Sequence, residues 1–287
     1  MIYIQLLLTA AIWGGTFIAG RVVVQSVGVY SAAFMRFGIA TLCSMMLVYK
    51  IEGGLPKLKL QQLLWIFLLG LSGIFAYNIC FFKGLQTIPA SRAALIVALN
   101  PIVIAITSAV IFKERLTPLK SIGIIFSLVG AAIVIGEGNP FDLLIGGLQN
   151  GDLYILGCVI SWVIYTLIGK QVMSQLSPLA VTNYAFTVGT FCLLLPALKN
   201  GLIQDLQQIS LVAGLGIVYL GLFGSALAFS WYYAGVRSIG ASQASIFINL
   251  VPVSAIILAA LLLNETITLS LLLGGGLVII GVLFTNQ

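Results

Sequence analysis

Aromatic residues recur at helical spacing along this chain: Trp13 with Phe17, Tyr77 with Phe81, Trp162 with Tyr165, and the adjacent Trp231 and Tyr232. Residues three or four apart share a helix face, so each of the first three pairs aims two rings in one direction. Ring faces bury apolar groups and attract ammonium ions, which is chemistry for holding an amphipathic molecule rather than for cleaving one. Three amides add polar contacts: Asn78, Asn100 beside Pro101, and Asn249 just before Pro252. In apolar surroundings an amide must find its partner in a neighbouring helix or in a cavity. Arg36 and Arg92 are the charged residues set well inside apolar runs. Each either snorkels to a membrane surface or faces a pathway, where it would attract a carboxylate.

Bond-breaking chemistry has little to work with. The sequence contains no histidine, which removes HExxH zinc sites, Ser-His triads and histidine proton relays. No Asp or Glu falls in the middle of an apolar run, so a paired-aspartate protease has no candidate. The same absence disfavours antiport of cationic drugs through a proton-exchanging carboxylate. Cys43, Cys80, Cys158 and Cys192 form no CxxC pair and read as small buried apolar residues. The glycine runs Trp13-Gly14-Gly15-Thr16-Phe17 and Gly274-Gly275-Gly276 follow no strand, and are better explained by close helix packing than by phosphate binding. Asn264-Glu265-Thr266 fits a glycosylation sequon but sits tight against a helix end. No catalytic residue, metal or cofactor is expected.

The elements that position these side chains follow from composition. Of 287 residues, 61% are apolar and 7% charged, and the mean hydropathy is +1.17. A soluble domain cannot carry such a surface, so the solvent is a bilayer. A spanning helix needs about 20 mostly apolar residues, and ten such windows are expected near 2–23, 30–50, 63–82, 89–112, 118–136, 153–170, 178–197, 209–232, 240–263 and 268–284. Glu52-Gly53-Gly54-Leu55-Pro56-Lys57, Glu137-Gly138-Asn139-Pro140 and Leu198-Lys199-Asn200-Gly201 carry the turn residues of the clearest breaks. The first window lacks a basic stretch before it and is followed by more membrane, so it reads as helix one rather than a signal peptide.

The net charge of +6 is spread over loops and helix ends and does not point to nucleic acid. Lys50, Lys57, Lys59, Lys113, Arg115, Lys120, Lys170 and Arg237 fall on the side of the termini, against Arg21, Lys83 and Lys199 on the other. Basic loops stay in the cytoplasm, so both termini are expected there. Short loops fit the plasma (inner) membrane of a prokaryotic cell.

The chain also repeats itself. At an offset of 151, Gly84 meets Gly235, Ala90-Ser91 meets Ala241-Ser242, and Pro101, Glu114, Thr117, Gly123 and Gly130 meet Pro252, Glu265, Thr268, Gly274 and Gly281. At an offset of 149, Trp13 meets Trp162, Phe37 meets Phe186 and Cys43 meets Cys192. Two repeats are therefore expected, residues 1–136 and 150–287, with five spans each. An odd number of spans inverts the second repeat, as in transporters that open a midplane site alternately to each side. The matched prolines fall within spans four and nine. Each removes an intrahelical hydrogen bond, frees the carbonyl of Val97 or Ile248, and is a candidate hinge.

Taken together, Trp13-Gly14 with Phe17, Arg36-Phe37, Ala90-Ser91 leading to Pro101, and Glu114-Arg115-Leu116-Thr117 before a glycine-rich span, repeated with Pro252 and Glu265, resemble the EamA-type family of the drug/metabolite transporter superfamily. The resemblance covers nearly the whole chain. It implies a ten-helix inverted-repeat exporter of metabolites, commonly amino acids, with a cavity lined by spans one, three, four, six, eight and nine. It also implies that Glu114 and Glu265 make helix-end and loop contacts rather than ligand contacts. Arg92 departs from the family pattern, and the membrane-embedded glutamate of the related four-helix multidrug exporters is missing.

The expectation is an all-α polytopic membrane protein that exports small amphipathic metabolites, aromatic or aliphatic amino acids first. The solute would be bound by Trp13, Phe17, Tyr77, Asn78, Phe81, Arg92, Asn100, Trp162, Tyr165, Trp231, Tyr232 and Asn249. Its partners are the solute and the lipid bilayer; the sequence sets no oligomeric state and is compatible with a monomer. A multidrug exporter, a passive channel and a structural membrane protein are the alternatives.

Overall fold

The computed structural model describes residues 2–112, 117–139, 148–173, 175–239, 244 and 247–285. Among them the regular structure is entirely helical. In chain order the helices are α1 (Ile2–Val23), α2 (Val29–Glu52), α3 (Leu60–Thr87), α4 (Ala90–Val97), α5 (Asn100–Phe112), α6 (Pro118–Ile135), α7 (Asn150–Val172), α8 (Pro178–Lys199) and the short α9 (Leu202–Gln208). They continue with α10, whose segments Leu211–Val218, Tyr219–Leu227 and Ala228–Ile239 run on without interruption, then α11 (Leu250–Leu263) and α12 (Leu269–Thr285). Eight spans are long and apolar enough to cross a bilayer, against the ten expected, and α11 and α12 are shorter apolar helices in the places of expected spans nine and ten. Leu42, Met46, Phe191, Leu211, Leu261 and Leu269 are fully exposed on the outer surface, where lipid is the solvent.

Span three is longer than its apolar window, from Leu60 to Thr87, and span eight continues past Tyr232 to Ile239. Both contain a π-helical stretch at mid-depth, Gly70–Ala76 in α3 and Tyr219–Leu227 in α10. Span four is two helices, α4 and α5, separated by a turn at Ala98 and Leu99. Pro101 therefore occupies the first turn of α5 rather than a helix interior, and Pro252 likewise lies in the first turn of α11, with Asn249 at its cap. Proline is tolerated there because the first turn has no intrahelical partner for its missing N–H. The chain breaks before each proline instead of kinking through it.

Helices pack through small residues. α6 lies along α12, where a Cβ on Gly123 would come 2.5 Å from the Gly281 carbonyl oxygen and one on Gly130 would come 2.5 Å from that of Gly274. Only glycine permits so close a backbone approach. The Ser127 hydroxyl donates to the Val278 carbonyl at 3.2 Å at the centre of this contact. α2 lies along α8, with the Phe37 and Phe186 ring centroids 5.1 Å apart and the Asn183 amide donating to Ser44 Oγ at 2.7 Å. Gly14 of α1 is pressed against Ser254 and Ala255 of α11. The core is filled mainly by α1, α2, α3, α4, α7 and α8.

Candidate functional site

Eleven aromatic side chains from both halves form one connected set of rings, Phe82 joining through Phe81 at 5.4 Å. Trp13 touches Phe229 and Tyr232 with centroids 5.4 and 5.5 Å apart. Phe229 continues to Trp162 at 6.4 Å, and Trp162 to Tyr165 at 5.3 Å and Tyr77 at 5.8 Å. Tyr77 stacks on Phe81 at 6.1 Å, and Phe81 meets Phe17 edge-on at 5.4 Å. Phe186 joins through Phe229 at 5.8 Å and brings Phe37 with it. The expected pairs on spans one, three and six are thus brought together. Tyr232 belongs with them, whereas Trp231, half-buried, has no ring contact among the described residues. Phe229, which sits between Trp13, Trp162 and Phe186, was not singled out by the sequence pattern.

Beside the rings, Leu6, Thr9, Ala10, Trp13, Tyr232, Phe247 and Ile248 line a narrow void of about 140 Å³. A wider cleft of about 750 Å³ is peripheral, between the 52–56 loop and 175–177 on the face of the termini, and holds none of the expected site residues. The aromatic rings of the centre are in mutual contact.

Both π-helical stretches abut this centre. Gly73 accommodates the Tyr165 ring, and a Cβ there would lie 2.2 Å from it. Gly224 faces Thr16, and its carbonyl accepts the Trp13 indole N–H at 3.0 Å. π-helical turns inside longer helices are frequent at functional sites. A signal for them was present in the sequence: Gly70-Leu71-Ser72-Gly73 and Gly221-Leu222-Phe223-Gly224 match at an offset of 151.

Arg36 lies between the two stretches, 7% exposed. Its Nη1 donates to Asn78 Oδ1 at 3.1 Å and its Nε to Ser225 Oγ at 3.3 Å. Each acceptor is held by a carbonyl of a π stretch: the Asn78 amide donates to Ile74 at 2.8 Å, and the Ser225 hydroxyl to Leu220 at 3.0 Å. The guanidinium carbon is 5.2 Å from the Phe37 ring centroid and 5.6 Å from that of Phe81, within cation–π range. Asn78 is thus placed as an arginine partner, and Ser225 is a site residue that spacing did not reveal.

Arg92 is used differently. Its Nε and Nη2 grip the Asp152 carboxylate at 2.8 and 2.7 Å, and Nη1 meets Glu137 at 3.0 Å. The guanidinium neither snorkels nor faces the aromatic rings. It ties the start of α4 to the first turn of α7 and to the 136–139 turn. Asp152, expected in a loop, is fully buried in that turn. In this structure the charge of Arg92, expected to meet the solute, is balanced by two carboxylates of the protein. Beside it, Glu265 accepts from the Ala90 and Ser91 backbone N–H groups at 2.8 and 3.1 Å and from the Ser91 hydroxyl at 2.6 Å. A carboxylate at a helix N-terminus supplies the missing acceptors and suits the helix dipole. Glu114, the match of Glu265, and Ala241-Ser242, the match of Ala90-Ser91, lie outside the described residues.

The remaining amides sit at the two helix breaks. Asn100 opens α5 and Asn249 caps α11, and both Asn100 Oδ1 and Asn249 Nδ2 are buried without a hydrogen-bond partner among the described residues. The same residues contain no cluster of metal-ligating groups.

Comparison with known proteins settles the family. The model of the EamA-like transporter family matches residues 1–136 and 149–287. The chain belongs to that family. This EamA-like transporter is 31% identical to the uncharacterized transporter YyaM of Bacillus subtilis (strain 168), over 98% of this chain and 92% of the relative. It is 30% identical, over 98% and 92%, to a protein of Streptantibioticus cattleyicolor described as a probable terminal-alkyne amino-acid exporter. An uncharacterized transporter of Archaeoglobus fulgidus is also 30% identical, over 98% and 96%. A solved crystal structure shares the fold, with a TM-score of 0.68 at 19% identity over 99% of this chain and 94% of that one. The EamA-like transporter is therefore a multi-pass membrane protein whose relatives come from bacteria and archaea.

Proposed function

We propose that this EamA-like transporter exports small amphipathic metabolites, aromatic or aliphatic amino acids first, by alternating access from the cytoplasmic to the far side of a prokaryotic plasma membrane. The observation that carries the reading is the connected ring set of Trp13, Phe17, Tyr77, Phe81, Trp162, Tyr165, Phe229 and Tyr232, contributed by both halves of the chain. Separating these rings would open an apolar chamber whose faces take a hydrocarbon or aromatic side chain and attract an ammonium group. The unpartnered amide atoms of Asn100 and Asn249 supply polar contacts at the helix breaks. Residues 1–136 and 150–287 act as the two inverted units, with the breaks before Pro101 and Pro252 as hinges. The relative described as an amino-acid exporter supports the same solute class.

Export of lipophilic cations is the second reading. The described acids lie at helix ends or in loops, and the charge buried beside the rings is the cation Arg36, which repels such a solute.

The test is flux in proteoliposomes with labelled aromatic, aliphatic and hydroxy amino acids and one quaternary ammonium drug, with and without a pH gradient. Saturable amino-acid movement is the expected result. Movement of the drug alone would overturn the solute class.

A further inference from the structure

Arg36 is the eighth residue of α2, roughly 10 Å inside the helix end at 1.5 Å per residue. No carboxylate among the described residues pairs with it. Both ion pairs among the described residues are made by Arg92, and the described acids, Glu52, Glu137, Asp152, Asp205 and Glu265, all sit at helix ends or in connecting turns. Its protein partners are two neutral oxygens, Asn78 Oδ1 and Ser225 Oγ, and two ring faces. These bonds use Nε and Nη1. A buried guanidinium whose described partners are all neutral is out of balance, because buried charges are ordinarily paired. The chain contrasts the two cases itself, since Arg92, buried to the same degree, has two carboxylates.

We infer that Arg36 is the anchor for a carboxylate on the transported solute, held at the boundary between the two π-helical stretches with the solute's apolar part against the aromatic rings. This rests on the transport reading above and deepens it: the solute class is a carboxylate-bearing amphipath, and the carboxylate is what the site selects. A carboxylate approaching Nη2 completes the ion pair without displacing Asn78 or Ser225, whose own anchors are the Ile74 and Leu220 carbonyls. Those two are positioning residues that fix the guanidinium plane. The Phe81 ring faces Arg36 on one side and belongs to the stack with Tyr77 and Phe17 on the other, so charge recognition and apolar recognition meet at that side chain. A planar guanidinium suits a carboxylate better than an ammonium does, because it offers parallel N–H donors.

The test uses three probes that share one ring: phenylalanine, 3-phenylpropionate, which keeps the carboxylate alone, and phenethylamine, which keeps the ammonium alone. Initial rates in proteoliposomes are measured for the wild type, Arg36→Gln and Arg36→Lys, and thermal stabilisation by each probe is recorded on the purified proteins. The wild type is expected to move and be stabilised by the carboxylate probes in preference to phenethylamine. In Arg36→Gln the kcat/KM ratio of phenylalanine over phenethylamine falls by roughly ten- to a hundredfold, the range of a hydrogen-bonded charged contact. If Arg36→Gln does not fold, Arg36→Lys carries the test: it keeps the charge without the planar fork, and the KM for phenylalanine rises about tenfold while its melting temperature stays near that of the wild type. Equal movement of phenylalanine and phenethylamine by the wild type, or an unchanged ratio in the variants, overturns the assignment while leaving transport intact. Movement of phenylpropionate but not phenylalanine overturns the amino-acid reading and leaves the anchor standing. Neither flux nor stabilisation with either carboxylate probe overturns both.

Discussion

The hydroxyls of Thr41 and Thr190 meet at 3.1 Å, although 149 residues separate them. That separation is the repeat offset, so the two threonines are the same position in the two halves of the chain. The same holds for Phe37 and Phe186, whose rings touch one turn away. Equivalent residues touch each other only on a symmetry axis. The axis also runs through the α6–α12 contact, where Gly123 faces Gly281 and Gly130 faces Gly274 reciprocally.

At that contact there is no room for a side chain. A Cβ on Gly281 would lie 2.4 Å from the Gly123 carbonyl oxygen and 2.2 Å from Ser127 Oγ. Gly281→Leu is expected to cost about 1–3 kcal/mol by overpacking and to lower the melting temperature of the purified protein. Gly276→Ala, with nothing within 4 Å of its added carbon, is expected to leave it unchanged.

Asp152→Asn leaves the buried Arg92 guanidinium without its main counter-ion, and removing one partner of such a pair costs about 3–5 kcal/mol. Folded yield and melting temperature should fall together, with the KM of any protein that survives unaltered. Glu137→Gln, at a carboxylate 74% exposed, should change stability by less than about 1 kcal/mol. A KM shift in Asp152→Asn would return Arg92 to the solute.

Glu265 fastens the N-terminus of α4. Glu265→Ala removes three hydrogen bonds to Ala90 and Ser91, and loss of a helix cap costs about 1 kcal/mol. The rate at which an impermeant maleimide labels Ala90→Cys, a buried position, should rise about fivefold in that background, the factor which 1 kcal/mol represents. An unchanged rate would show that the cap does not control access to this face.

Trp13 contributes a ring to the aromatic set and one hydrogen bond to the Gly224 carbonyl. Trp13→Phe keeps a ring and gives up a bond worth about 1 kcal/mol, so a modest loss in kcat/KM is expected. Trp13→Ala should lower it at least tenfold, because it removes two ring contacts, to Phe229 and Tyr232, each worth about 0.5–1.5 kcal/mol, together with the hydrogen bond. Equal effects of the two variants would assign the role of Trp13 to the hydrogen bond alone.

The membrane-length helices, the duplication and the aromatic faces could all be read from the sequence, because each is a local pattern of period, composition or offset. Asp152 escaped because the partner that draws it into the protein lies 60 residues earlier, and nothing local distinguishes a buried acid at a helix start from a loop acid. Arg36 was singled out, but its direction was left open for another reason. α2 is apolar around most of its circumference, so its hydrophobic pattern does not say which face looks inward. The helix break before Pro101 was read as a kink because proline marks a disturbance without saying on which side the chain gives way. The π stretches left a trace in the matched glycines, which their neighbours' apolar character masks.

The pseudo-twofold axis bears on how the charge at the centre came to be single. The position equivalent to Arg36, one residue before Phe186, is Ala185, fully buried. In an assembly of two identical five-helix chains, an arginine at this place would appear twice, one residue from the ring contact on the axis, and the two cations would repel across it. Joining the halves into one polypeptide lets each copy carry a different residue there. The scaffold can stay symmetric while the centre is charged on one side only.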